Sequence, residues 1–252
     1  MRLRGRSVIV ALLLALFVPH LAFAATNIGV PGLSVSVSPT TSPSGVVSVV
    51  QILVLLTVLS LAPAILIMMT AFTRIVVVLS FVRSALALQT TPPNQVIIGL
   101  ALFLTLFVMG PTFQTVNKDA VQPYLAGRIS QTAAISRAEY PFKVFMAKQT
   151  RIQDVDLFLQ YEHEAPPKSL ASLPLTTLVP AFAISELKTA FQIGVMIYIP
   201  FLIIDLVVAT TLMSMGMMML PPVLISLPFK LLLFVMVNGW YLVVKSLLAG
   251  FH

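Results

Sequence analysis

The 252-residue sequence predicts an all-α, membrane-associated protein made of broken hydrophobic helices and a small helical polar domain. Three observations lead there. Hydrophobic residues are 58% of the chain and charged residues only 9%, where a soluble domain carries about 25% charged residues. Apolar tracts recur over 46–73, 96–117, 189–229 and 231–244, and most of the charge is gathered into 118–188 between them. So large an apolar excess cannot be hidden inside a globule of this size, and must face lipid or partner subunits.

Charge and cysteine content narrow the function classes. The net charge of +7 owes three positives to Arg2, Arg4 and Arg6, and the remainder is scattered. Without a basic stripe there is no nucleic-acid footprint, so no nucleic-acid partner is expected. The chain has no cysteine, which excludes disulfides, thiol catalysis and thiolate metal sites.

At the amino terminus, the three arginines precede a short apolar run and the small-residue signal Ala22, Phe23, Ala24. That order predicts a signal peptide over residues 1–24, with the mature end outside the cytoplasm. Residues 25–45, rich in Pro, Gly, Ser and Thr, read as a flexible linker.

Residues 46–117 read as a first hydrophobic helical hairpin. The uncharged stretch 46–73 makes about 42 Å of helix, enough to span a bilayer with tilt. Arg74 and Arg83 follow it, on the side that a positive-inside reading assigns to the cytoplasm. Residues 75–88, apolar but interrupted by Arg83, suit a helix lying against protein or at the interface. Gln89 to Asn94, with Pro92 and Pro93, breaks the chain before 96–117 returns it to the outside.

Residues 118–188 read as an extracytoplasmic polar helical domain. Phe142, Phe145 and Met146, then Val155, Phe158 and Leu159, recur at helical spacing and predict two amphipathic helices within 140–164. Residues 189–252 read as a second hydrophobic helical hairpin, broken at Pro200, Asp205 and Pro221–Pro222. Its last tract, 231–244, supplies only about 21 Å between Lys230 and Lys245, short of a hydrocarbon core. Proline interrupts or bounds every tract, at Pro63, Pro111, Pro200, Pro221, Pro222 and Pro228. In lipid such breaks are tolerated where protein covers the freed backbone or a wet cavity lines it, so much of the apolar surface is expected to face other subunits.

Candidate chemistry is sparse, and no enzyme is expected. No phosphate-binding loop is present, so no nucleotide cofactor follows. Glu162, His163 and Glu164 are adjacent, and neighbours on a helix diverge, so a solvated face is a better reading than a metal site. Asp205 is the only acid within the long apolar tracts. It suits interhelical hydrogen bonding, pairing with Lys188 or Lys230 of a neighbouring chain, or a proton relay. Glu186 and Lys188 suit a structural place at the membrane boundary. The methionines from Met213 to Met219, with Gly216 inside and Pro221–Pro222 after, form a pliable cluster on a helix break. In a ring of subunits such loops could close a pore; the plainer reading is filler beside a turn.

Five runs bear a family likeness. PAFAISELKTAFQIG at 180–194 and PFLIIDLVVA at 200–209 closely resemble the two signatures of the flagellar biosynthetic protein FliP family. FTRIVVVLS at 72–80, QTTPPNQ at 89–95 and Met217-Met218-Met219 are similar to that family as well. The resemblance implies a subunit of the flagellar type III export gate in the bacterial inner membrane, at the flagellar basal body, with a periplasmic polar domain. It implies a homopentameric ring with FliQ and FliR, beside FlhB and FlhA, held largely above the membrane plane and passing unfolded flagellar proteins. Met217, Met218 and Met219 would then form the channel gasket, while Arg74, Arg83, Glu186, Lys188 and Asp205 would serve assembly. A virulence secretion gate subunit, or a proton or solute transporter using Asp205, are the alternatives.

Overall fold

The computed structural model describes residues 43–162, 169–217 and 219–251. The expected signal peptide, most of the expected linker, His20, His163, Glu164, Met218 and His252 lie outside the described residues. Among those described there is helix and no strand, as an all-α chain requires.

The chain divides into two units, residues 1–58 and 59–252. Helix α1, Pro43–Met68, contains residues of both. In the first unit Val50 and the run Leu53 to Leu56 stand exposed, and the Thr57 hydroxyl donates to the Leu53 carbonyl at 2.7 Å. That internal bond satisfies a hydroxyl on an otherwise oily helix.

In the second unit, α1 ends at a turn held by Met69 N–H on Ile65 O and Thr70 N–H on Ile67 O. Helix α2, Phe72–Ala85, starts at once. Its buried residues Ile75, Val78, Leu79 and Val82 fall at i, i+3, i+4 and i+7, a single helical stripe. With Ala71, Ala85 and Leu86 they form the centre of the larger core. Expected to lie against protein or at an interface, α2 is the element around which this unit packs. Ala87, at φ 57°, terminates the helix in the left-handed region, and the turn leads to α3, Asn94–Val116. Ile97 and Ala101 are buried in the α2 core, while Phe103 and Phe107 point outward.

A π-helical turn, Asn117–Val121, joins α3 to the short α4, Gln122–Leu125. Helix α5, Gln131–Gln149, opens on Ser130, whose hydroxyl accepts from Ala133 N–H. Helix α6, Ile152–Glu162, follows. These are the two helices of the polar region, and Met146, Val155 and Leu159 meet Leu178, Ala181 and Phe182 in a second core.

Helix α7, Leu175–Ser214, has 40 residues, about 60 Å. A break at Pro200 and Asp205 was expected, and α7 runs through both. Proline removes one N–H and frees the carbonyl four residues back; Pro63, Pro111, Pro180 and Pro228 likewise sit inside helices. Of the prolines expected to interrupt the tracts, Pro221 and Pro222 alone mark an end, heading α8, Pro222–Met236. Helix α9, Gly239–Ala249, follows across Val237 and Asn238, bent 63° from α8. Asn238, at φ 53°, makes that corner, and the Phe234 and Trp240 rings meet edge to face there at 5.3 Å.

Among the described residues two helices are long and apolar enough to cross a membrane, Asn94–Leu125 and Leu175–Ser214, and the bent α8–α9 pair is a third if it counts as one span. The tract at 231–244 thus straddles that corner and is no single straight helix.

Candidate functional site

The α2 stripe that builds the core also carries a charge into it. Arg74 is 2% exposed and Glu186, on α7, is fully buried. Arg74 Nε donates to Glu186 Oε2 at 2.8 Å and Nη2 donates to Oε1. Nη2 also donates to Gln149 Oε1 at 3.0 Å and Nη1 to the Gly250 carbonyl at 2.7 Å, with the Phe251 ring 4.0 Å from the guanidinium carbon. Arginine's planar fork suits this bidentate geometry. Desolvating two charges is costly, so the pair contributes specificity of register more than net stability.

This node gathers α2, α5, α7 and the end of α9 at one level of the fold. Further along, Phe81 stacks edge to face on Phe191 at 5.2 Å. A Cβ on Gly194 would lie 2.5 Å from that same Phe81 ring, so α2 and α7 approach as closely as they do because residue 194 has no side chain. Helices α2 and α7 therefore run parallel from the Arg74–Glu186 level.

Beyond them lies a second charged node. Lys230 Nζ, on α8, donates to Asp205 Oδ2 at 2.6 Å, and Ser226 Oγ donates to Oδ1 at 2.5 Å. The expected pairing of Asp205 with a neighbouring chain's lysine is met inside one chain, by Lys230. Lys188 stands exposed on α7. The lysine side chain is 2% exposed and the aspartate 29%, the carboxylate opening on a cavity of about 460 Å³ that Arg83 and Gln89 also line. Arg83 Nη1 donates to Asn94 Oδ1 at 2.5 Å, stapling α2 to the start of α3.

Arg74 and Arg83 thus lie at opposite ends of α2: Arg74 is drawn to Glu186 and to Gln149 at the end of α5, and Arg83 to Asn94. The sequence hides Gln149, Gly250 and Phe251 as partners, since their bonds are made by an uncharged amide, a carbonyl and a ring. Ser185 was missed too. Its hydroxyl donates to Asp154 Oδ2 at 2.6 Å and accepts the Arg151 N–H at 3.0 Å, tying α6 to α7.

Past Phe201, α7 buries no side chain. It ends in a turn where Gly216, at φ 75°, takes the left-handed conformation. Met213, Met215 and Met217 are exposed, and Met219 is 98% exposed. Among the described residues no three His, Cys, Asp or Glu side chains gather to hold a metal ion, and no buried side-chain N or O lacks a hydrogen-bond partner.

Comparison with known proteins matches residues 55–247 to the FliP family model, described as the FliP family. The chain is 63% identical to the flagellar biosynthetic protein FliP of Bacillus subtilis (strain 168) over 86% of its own length and 98% of the relative's. Identity to the Aquifex aeolicus (strain VF5) protein of the same name is 52%, over 81% and 86% of the two chains. For that of Pectobacterium carotovorum subsp. carotovorum it is 51%, over 88% and 86%.

Proposed function

This chain belongs to the FliP family, a component of the flagellar export apparatus, and from that premise we propose that it is a non-enzymatic core subunit of the export gate. Several copies, a pentamer on the family pattern, surround a conduit with FliQ and FliR, beside FlhB and FlhA, and unfolded flagellar proteins pass through it. The membrane is the bacterial inner membrane, at the flagellar basal body, with the polar helices α5 and α6 on the periplasmic side.

The observation that carries this reading is the exposed tip of α7. A helix that buries a stripe from Thr177 to Phe201, and is tied to α8 at Asp205, ends in a stretch that buries no side chain and in a methionine-bearing turn in the open. Apolar surface of this extent calls for lipid or protein cover. Thioethers are unbranched and deformable, so several such turns around one axis close on each other without demanding a fixed fit and yield to any passing sequence. The two charged nodes support an assembly role. Both are neutralised inside the chain, so they hold α2, α7 and α8 in register while leaving outer faces apolar for neighbours.

A proton relay through Asp205 is disfavoured by its partners, because Lys230 and Ser226 already hold both carboxylate oxygens. A virulence-system role is not favoured, since the relatives quoted carry the flagellar name.

The chain has no natural cysteine, so a single introduced thiol reports without background. Met219→Cys is expected to cross-link copy to copy in native membranes, whereas Arg128→Cys, on the exposed rim of the polar region, is not. Cross-linking at neither position, with export intact, would remove the shared conduit.

A further inference from the structure

A groove of about 1340 Å³ lies where α3, the π turn and α5 meet the end of α9. Small-molecule sites occupy roughly 300–1,000 Å³, so this one has room for side chains of a polypeptide. Lys118, Arg137 and Lys148 line it and are exposed, and among the described residues they enter no ion pair. Lys143 is neutralised by Glu139 at 2.7 Å, and Asp119 is the one further carboxylate on the wall. The groove is therefore net positive. Phe107 and Pro111 add exposed apolar surface to the same wall.

The complementary surface is on α6. That helix carries Asp154, Asp156 and Glu162 and neither Lys nor Arg. Val155 and Leu159 turn into the second core, while Gln153, Leu157, Gln160 and Tyr161 form the exposed side, with Asp156 half-buried on its edge. Asp154 is held by the Ser185 hydroxyl, whereas Asp156 enters no ion pair among the described residues. No described residue of α6 lines the groove of its own chain. One chain thus presents an acidic ridge with apolar side chains and, on other elements, a basic groove with an apolar wall.

We infer that α6 of one copy docks in the groove of the next, with Asp156 among Lys118, Arg137 and Lys148 and with Leu157 and Tyr161 on the Phe107 and Pro111 wall. Opposite charge selects this pairing and sets its register. Because ridge and groove are different surfaces, the contact propagates head to tail, and such contacts give a ring when the rotation closes. The inference rests on the multi-copy reading above and not on the methionine turns, so the contact can fail while the conduit stands.

The test co-expresses two tagged forms of the full chain, one with Ser136→Cys on the groove wall and one with Gln160→Cys on α6, and treats native membranes with a short bismaleimide. Mixed dimers should outnumber either like pair. An exposed ion pair is worth up to about fivefold in association, and reversal turns that gain into a loss. Adding Arg137→Glu and Lys148→Glu to the first chain should therefore lower the mixed product on the order of tenfold. Asp156→Lys in the second chain should restore part of it, which a folding defect would not allow. Arg128→Glu, which removes a cation outside the groove, should leave the product unchanged. Like pairs as abundant as mixed ones, or no recovery with the reversed partner, would overturn the proposal, as would Ser136→Cys linking to an unlike subunit in place of a copy. Absence of mixed dimers while Met219→Cys still links copies would discard this contact and keep the shared conduit; loss of the Met219→Cys link as well would discard both.

Discussion

Arg74 and Glu186, 112 positions apart in the chain, are joined by two parallel hydrogen bonds in a site that water does not reach. The relationship fixes the register of α2 on α7, and the other donors of Arg74 draw Gln149 and the Gly250 carbonyl to the same point.

Breaking that pair from one side should be more damaging than removing it whole. Arg74→Ala or Glu186→Ala leaves a buried charge alone, at a cost of about 3–5 kcal/mol. The joint variant Arg74→Met, Glu186→Leu should recover most of the loss. Exchanging the two charges should not, because a carboxylate in place of the guanidinium would face the Gly250 carbonyl. Thermal unfolding of the purified chain in detergent, read by helical circular dichroism, ranks the four.

The second node should respond asymmetrically. Asp205→Ala strands Lys230 in a site where it is 2% exposed, whereas Lys230→Ala leaves a carboxylate that is partly solvated and still holds Ser226. The aspartate variant should therefore lose the large complex on native gels more completely than the lysine variant, and Lys230→Met should assemble best of the three. Equal defects would mean that the buried lysine is not the costly partner.

Close approach of α2 and α7 depends on Gly194. Adding a methyl there forces the Phe81 ring to move, and overpacking of this kind costs about 1–3 kcal/mol. Gly194→Ala should lower the melting temperature, and Phe81→Leu in the same chain should restore part of it. An unchanged melting temperature in the single variant would show that the helices separate freely.

Much of this architecture is legible in residue order. The α2 stripe follows from helical spacing, the polar helices from Phe142, Phe145 and Met146 and from Val155 to Leu159, and Asp205 stands out as an acid in an oily tract. What is illegible has physical causes. Proline at positions 200 and 228 reads as a break, yet helices absorb it when neighbouring turns remain bonded. Arg74 and Glu186 read as separate charges at tract boundaries, because a pairing across 112 positions leaves no mark in residue order. The α8–α9 corner rests on left-handed Asn238 and on the Phe234–Trp240 contact, neither of which has a periodic signature.

Closure of the conduit by the α7 tips is most directly tested by ion conductance across membranes that hold the assembled complex. Replacing Met217 and Met219 with alanine should leave the complex intact on native gels while raising resting conductance several-fold above the parent. An assembled double variant with the parent's conductance would contradict the claim that these turns seal a shared passage.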